Sequence, residues 1–254
     1  PRRIGVDEVA YEKEHKYLTI VRDVDAARVI WVGVGRKKEV LDEFFKSLGP
    51  EKCARITVAV MDMWDPFIAS VKDNCPNVEI VFDKFHIAKK SNEALDSVRK
   101  KEFASASEID RKQMKKKRFV ILKRNEHLDD EERGKLTTIM ELNKTLFKSY
   151  ILKEQLIRIF DEPVAETAVK CLQVWFENVQ QSAIKPFEKV VKTLQNYLYG
   201  ILNYFKHKIT NAASEAFNNK IGVLKRRAYG YRDLEYFKLK ILTSCFKSSP
   251  QICR

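Results

Sequence analysis

Arg55-Ile56-Thr57-Val58-Ala59-Val60-Met61-Asp62 decides how the first third of the chain folds. Ile56 to Met61 carries apolar side chains on both faces, the pattern of a central strand covered on both sides. Upstream lie three shorter strand patterns, Ile4 to Val6, Tyr17 to Val21 and Val29 to Val34, separated by charged turns as in an antiparallel meander. A helix is expected from about Lys37 to Leu48, with Val40, Leu41, Phe44, Phe45 and Leu48 on one face and Gly49-Pro50 as its stop. Downstream, Pro66 opens a short helix holding Phe67, Ile68 and Val71. Cys75-Pro76-Asn77 ends it, and Val78 to Phe82 forms a fifth strand.

Three strands, helix, strand, helix, strand is the element order of a ribonuclease-H-like α/β fold with a mixed five-stranded sheet. In that topology the first and fourth strands are neighbours, which brings Asp7 and Asp62 together. From Phe85 to about Phe205 the period changes to helical. One stripe runs Leu136, Ile139, Met140, Asn143, Leu146, Phe147, Tyr150; another Val164, Ala168, Leu172, Trp175, Phe176, Val179; a third runs from Ile184 through Phe187, Val190, Leu194 and Leu198 to Leu202 and Phe205. These stripes are helical core. The expected organisation is therefore a first part of the sheet domain at 1–98, an all-helical insertion at 99–207, and a completing segment at 208–254 that carries a Glu-bearing helix. Lys115-Lys116-Lys117-Arg118 lies in a charge-rich stretch read as a solvated helix face or linker, with contact to DNA as the alternative.

At 254 residues, with 44% hydrophobic residues, the chain can bury a substantial core. Its 48 Lys and Arg against 35 Asp and Glu give a formal charge of +13, which favours phosphate-bearing partners and salt-sensitive binding. Cys53, Cys75, Cys171, Cys245 and Cys253 contain no Cys-x-x-Cys pair, so no zinc site is expected, and their scatter suits a reducing cytoplasm. No apolar run reaches membrane-spanning length and no signal-peptide pattern is present. Without an initiating Met, and with a strand two residues in, the sequence reads as an excised domain.

The chemistry rests on acids at strand ends. Asp7 follows Ile4-Gly5-Val6, Asp62 follows the buried strand, and Glu215 follows Thr210-Asn211-Ala212-Ala213-Ser214 at the start of a basic helix capped by Asn211. Three carboxylates gathered together repel one another, and hard divalent cations relieve that repulsion through oxygen ligands. Two such ions are what phosphodiester cleavage uses. The alternative for Asp7 and Asp62 is a turn or cap role. Glu8 should point away from Asp7 by strand alternation, and Asp65, before Pro66, reads as a helix-start residue. Lys220, Lys225, Arg226, Arg227 and Arg232, on or just beyond the Glu215 helix, suit contacts to a DNA backbone. Asp83 and His86 form an Asp-x-x-His pair after the fifth strand, which either orients DNA and supplies a proton or starts a helix. Trp64 is either core or a stacking surface for a base.

Ile4-Gly5-Val6-Asp7-Glu8, Asp62-Met63-Trp64-Asp65-Pro66-Phe67, Phe82-Asp83-Lys84-Phe85-His86 and Ser214-Glu215-Ala216-Phe217-Asn218-Asn219-Lys220 through Lys225-Arg226-Arg227-Ala228-Tyr229-Gly230-Tyr231 resemble the catalytic domain of bacterial DDE transposases of the ISL-three group. The resemblance covers nearly the whole chain. It implies a ribonuclease-H-like fold with a helical insertion between the fifth strand and the Glu helix, and Asp7, Asp62 and Glu215 as catalytic ligands of two Mg²⁺ or Mn²⁺ ions. It further implies cleavage of insertion-sequence ends and strand transfer into target DNA, in the bacterial cytoplasm at the nucleoid. The expected partners are transposon and target DNA and further copies of the chain, with no membrane and no small-molecule substrate. An inactive or domesticated DNA-binding module and a stand-alone nuclease of the same fold are the competing readings.

Overall fold

A computed structural model describes residues 1–12, 16–209, 212–228 and 230–244, the side chains of 212–215 excepted. The chain forms two compact units, Pro1–Asp83 together with Tyr199–Arg254, and Lys84–Leu198. The first holds a five-stranded mixed sheet. Its strands are β1 (Arg3–Glu12), β2 (Lys16–Asp23), β3 (Arg28–Val34), β4 (Val58–Met61) and β5 (Glu79–Phe82), in the spatial order β3-β2-β1-β4-β5. β1, β2 and β3 pair antiparallel, whereas β4 runs parallel to β1 and β5 parallel to β4.

The β1–β4 neighbourhood expected from the order of elements is present. β1 differs from expectation in length. It continues five residues beyond Asp7, because β2 goes on pairing with it in a long hairpin after β4 has ended. Asp7 is thus inside its strand, at the level where the parallel neighbour stops. Alternation along β1 sorts the two faces of the sheet. Ile4 and Val6 are completely buried on one side. That side carries α1 (Lys38–Leu48): Gly33, in line with Thr19 and Glu8 across the strands, has the Val40 side chain directly above it. Leu41, Phe44 and Phe45 of α1 are buried, as the sequence pattern predicts. Short α2 (Pro50–Cys53) and then α3 (Asp65–Asn74) follow, and α3 packs against α1.

The Lys84–Leu198 unit is entirely helical among its described residues: α4 (Lys84–Ser105), α5 (Glu108–Met114), α6 (Arg118–Leu122), a 3-10 turn at Asn125–His127, α7 (Asp130–Leu142), α8 (Lys144–Asp161), α9 (Ala165–Ser182) and α10 (Lys185–Asn196). α4 packs on α8 and α10, and α8 on α9. The apolar stripes supply the buried Leu146, Leu172, Trp175, Phe187 and Leu194. Two stripes are interrupted where a turn intervenes. Asn143 accepts the Leu146 N–H at 2.8 Å and caps α8, which separates it from α7. The third stripe breaks at Tyr197. Phe147, Val164 and Leu202, expected in the core, are exposed. Charge is also buried here. Lys153, completely inaccessible, reaches Glu154 at 2.5 Å and the Lys123 carbonyl at 2.9 Å.

The chain returns to the sheet unit with α11 (Leu198–His207), α12 (Ala212–Arg227) and α13 (Leu234–Ser244). Gly200 permits α11 to lie on β5, since a Cβ there would sit 2.4 Å from the Phe82 ring. Asn203 donates to the Ile80 carbonyl at 2.9 Å beside it. α12 and α13 cover the second face of the sheet, where Ile221, Phe237 and Ile241 join Leu18, Ile20, Val29 and Val32 in one cluster. The Asn211 cap lies outside the described residues.

Candidate active site

The ladder registers build the site. Gly5 stands opposite Val60, and Met61 opposite Phe82. Two residues beyond the Gly5–Val60 pair and one beyond the Met61–Phe82 pair, Asp7, Asp62 and Asp83 fall in a single row across three adjacent strands. Adjacent strands are spaced about 4.8 Å apart. The Asp83 N–H donates to the Met61 carbonyl at 3.2 Å, which carries the β4–β5 pairing to that row. Asp7 is paired with Ile20, and Ile20 belongs to the cluster under α12 and α13, so Asp7 faces the same helices.

Asp7 is 8% exposed and held at both oxygens. Oδ1 accepts the Glu8 N–H at 2.8 Å, and Oδ2 accepts the Asn218 side-chain amide at 2.8 Å. Asn218 lies on α12, one turn after Glu215, so the two share a helix face by their spacing. The side chain of Glu215 is outside the described residues. Asp83 is buried and Asp62 half-buried.

Glu8 points to the opposite face, as alternation requires, and its Oε1 accepts from Arg36 at 3.2 Å. Arg36 also stacks over Tyr17 at 4.2 Å and over Trp64 at 4.9 Å. The Trp64 indole donates to the Arg36 carbonyl at 3.1 Å, which fixes the ring in a half-buried position. Asp65 opens α3 with Pro66 behind it, as expected of a helix-start residue. His86 is the third residue of α4, in the helical unit, and is half-buried. Lys225, Arg226 and Arg227 form the basic last turn of α12, closed by the Gly230 N–H on the Lys225 carbonyl at 3.0 Å. Gly230 takes φ +98°, a conformation that suits glycine after a helix. Lys220, Arg226, Arg227 and Arg232 are exposed and Lys225 is half-buried.

Two participants escaped the sequence reading. Asn218 was visible only as part of a motif, and Arg22, just past the expected Tyr17–Val21 strand, carried no signal. Arg22 is 2% exposed. It stands opposite Gly5, the residue on the Asp7 side that has no side chain, and its guanidinium lies 5.2 Å from the Phe217 ring of α12. Burial lowers the pKa of this guanidinium, and the negative charges of Asp7 and Asp83 act in the opposite direction.

As a cation site, the row offers hard carboxylate oxygens with no sulfur or imidazole, a donor set that suits Mg²⁺ or Mn²⁺. Among the residues whose side chains are described, no three acidic, His or Cys groups gather closely enough to hold a metal ion.

The family model described as Transposase, that of the ISL-three DDE group, matches residues 4–241. The transposase for insertion sequence element IS1001 of Bordetella parapertussis is 35% identical over 242 residues, covering 94% of this chain and 59% of its own length. The transposase for insertion sequence element IS1557 of Mycobacterium tuberculosis is 30% identical over 254 residues, covering 91% of this chain and 57% of its own. The chain thus spans somewhat under three fifths of the curated relatives it matches. It belongs to the ISL-three group of DDE transposases.

Proposed function

We propose that this chain is the catalytic domain of an insertion-sequence transposase, which cuts the element's ends and joins them to target DNA. The fold is ribonuclease-H-like, with the order β3-β2-β1-β4-β5 supporting that reading. The helical unit Lys84–Leu198 supports the reading of a helical insertion, anticipated at 99–207 between sheet segments 1–98 and 208–254. The observation that carries the reading is the hydrogen bond from Asn218 to Asp7, which docks the Glu215 helix onto β1 at Asp7.

Asp7, Asp62 and Glu215 would hold two Mg²⁺ or Mn²⁺ ions. When bound, such ions supply activation of the attacking oxygen and stabilisation of the leaving one. The protein's own residues orient and exclude. Asn218 and the Glu8 N–H fix the Asp7 carboxylate. The α12–α13 cluster keeps water from the sheet beneath it. Lys220, Lys225, Arg226, Arg227 and Arg232 bind the DNA backbone, while Asp83, His86 and Trp64 are auxiliary. The partners are element ends and target DNA, brought together by a homo-oligomer in the bacterial cytoplasm at the nucleoid. No helix among the described residues is long and apolar enough to cross a membrane.

The test is strand transfer from pre-cleaved element ends to a target plasmid in Mn²⁺, wild type against Asp7→Asn and Asp62→Asn. Each substitution should lower transfer about a thousandfold or more while DNA binding persists. Unchanged turnover in either variant refutes the assignment. Nicking alone in the wild type would indicate a nuclease, and binding alone a module without activity.

A further inference from the structure

The buried cation beside the aspartate row, Arg22, has no part in that chemistry. Arg22 brings a permanent positive charge to a place where the reaction requires divalent cations. The location is built rather than incidental. Strand pairing sets the side chain opposite Gly5, on the face that carries Asp7. Phe217 lies against the guanidinium from α12, one residue before the Asn218 that holds Asp7. At 2% exposure the guanidinium is almost wholly withdrawn from water, and a charge so withdrawn depends on its acidic neighbours. Those neighbours are Asp7 and Asp83, both buried members of the row.

We infer that Arg22 is a positioning residue: a resident counter-cation that offsets the charge of Asp7 and Asp83 and orders them before metal arrives, and that competes with divalent ions for the row. The inference rests on the proposed metal site. Asp7 and Asp83 would otherwise repel each other across Asp62, and Arg22 offsets that repulsion within the folded protein. The same charge repels an incoming Mg²⁺ or Mn²⁺ and weakens its binding to the free protein. Metal loading is therefore held back by a residue that contributes no ligand atom.

This role has a signature that a purely structural one lacks. Damage to the site can only weaken cation binding, whereas removing a competing charge strengthens it. The experiment is a Mn²⁺ titration of the full chain without DNA, free ion being read from its electron paramagnetic resonance signal. Wild type is compared with Arg22→Met, Arg22→Lys and Asp7→Asn. Arg22→Met should bind Mn²⁺ about tenfold more tightly or better, and Arg22→Lys within about twofold of wild type. Equal or weaker binding by a folded Arg22→Met overturns the inference. Should Arg22→Met not fold, Mg²⁺ titration of ¹⁵N-labelled wild type decides: the Arg22 Nε–H resonance must shift as Mg²⁺ binds, and a stationary resonance overturns it. Asp7→Asn separates the two readings. If it leaves Mn²⁺ affinity unaltered, the metal site itself is misplaced. If it weakens binding while Arg22→Met does not strengthen it, only the role of Arg22 falls.

Discussion

The two faces of the sheet come from the same strands, one residue out of step, yet they are opposite in character. The α1 side is closed by aliphatic and aromatic packing, with Ile4, Val6, Phe44 and Phe45 all buried. On the α12 side the same strand presents Gly5 and Asp7, Arg22 is drawn in beside them, and α12 docks through Asn218 and Phe217 as well as Ile221. One face stabilises the fold through apolar area removed from water. The other gives up some of that gain to hold Asp7 and Arg22 out of water. In this sheet, buried charged residues mark the α12 side.

Placing a charge on the closed side is the harshest test of that contrast. Val6→Asp puts an unpaired carboxylate where exposure is 0%, and the cost should exceed about 4 kcal/mol. Urea or thermal denaturation should show loss of cooperative folding in the sheet unit; a native-like transition would mean the two faces are not so different. Phe45→Ala is next, with about 3–5 kcal/mol lost through the cavity left behind, read as a lower urea midpoint. A folded Phe45→Ala protein should keep wild-type Mn²⁺ affinity, because the lost contacts lie across the sheet from the acids. On the α12 side, Phe217→Leu should cost only about 1 kcal/mol, from the lost guanidinium–ring contact. If its thermal midpoint falls as far as that of Phe45→Ala, the second face is as dependent on packing as the first.

Legibility in the sequence followed how local each signal was. β4 was readable because a run buried on both faces needs no partner to identify it, and α1 because its stripe repeats over three turns. The adjacency of β1 and β4 followed from element order. The length of β1 was not readable, since Val9 to Glu12 form a strand only through pairing with β2. Asp7 and Asp62 announced themselves at the ends of apolar runs. Asn218 and Arg22 did not, because an Asn in a helix and an Arg closing a strand are ordinary on a surface. Only α12, far along the chain, turns them inward. Breaks at Asn143 and Tyr197 were hidden because apolar spacing continues across them.

The hydrogen bond between Asn218 and Asp7 joins positions 211 residues apart. During synthesis β1 leaves the ribosome long before α12 exists, and the whole helical unit must be made in between. Contacts so distant in sequence form late. Until then Leu18, Ile20, Val29 and Val32 have no cover from Ile221, Phe237 and Ile241. A nascent chain that has not yet reached α12 therefore carries the strand aspartates without the helix that supplies the Asn218 contact and covers the sheet around them.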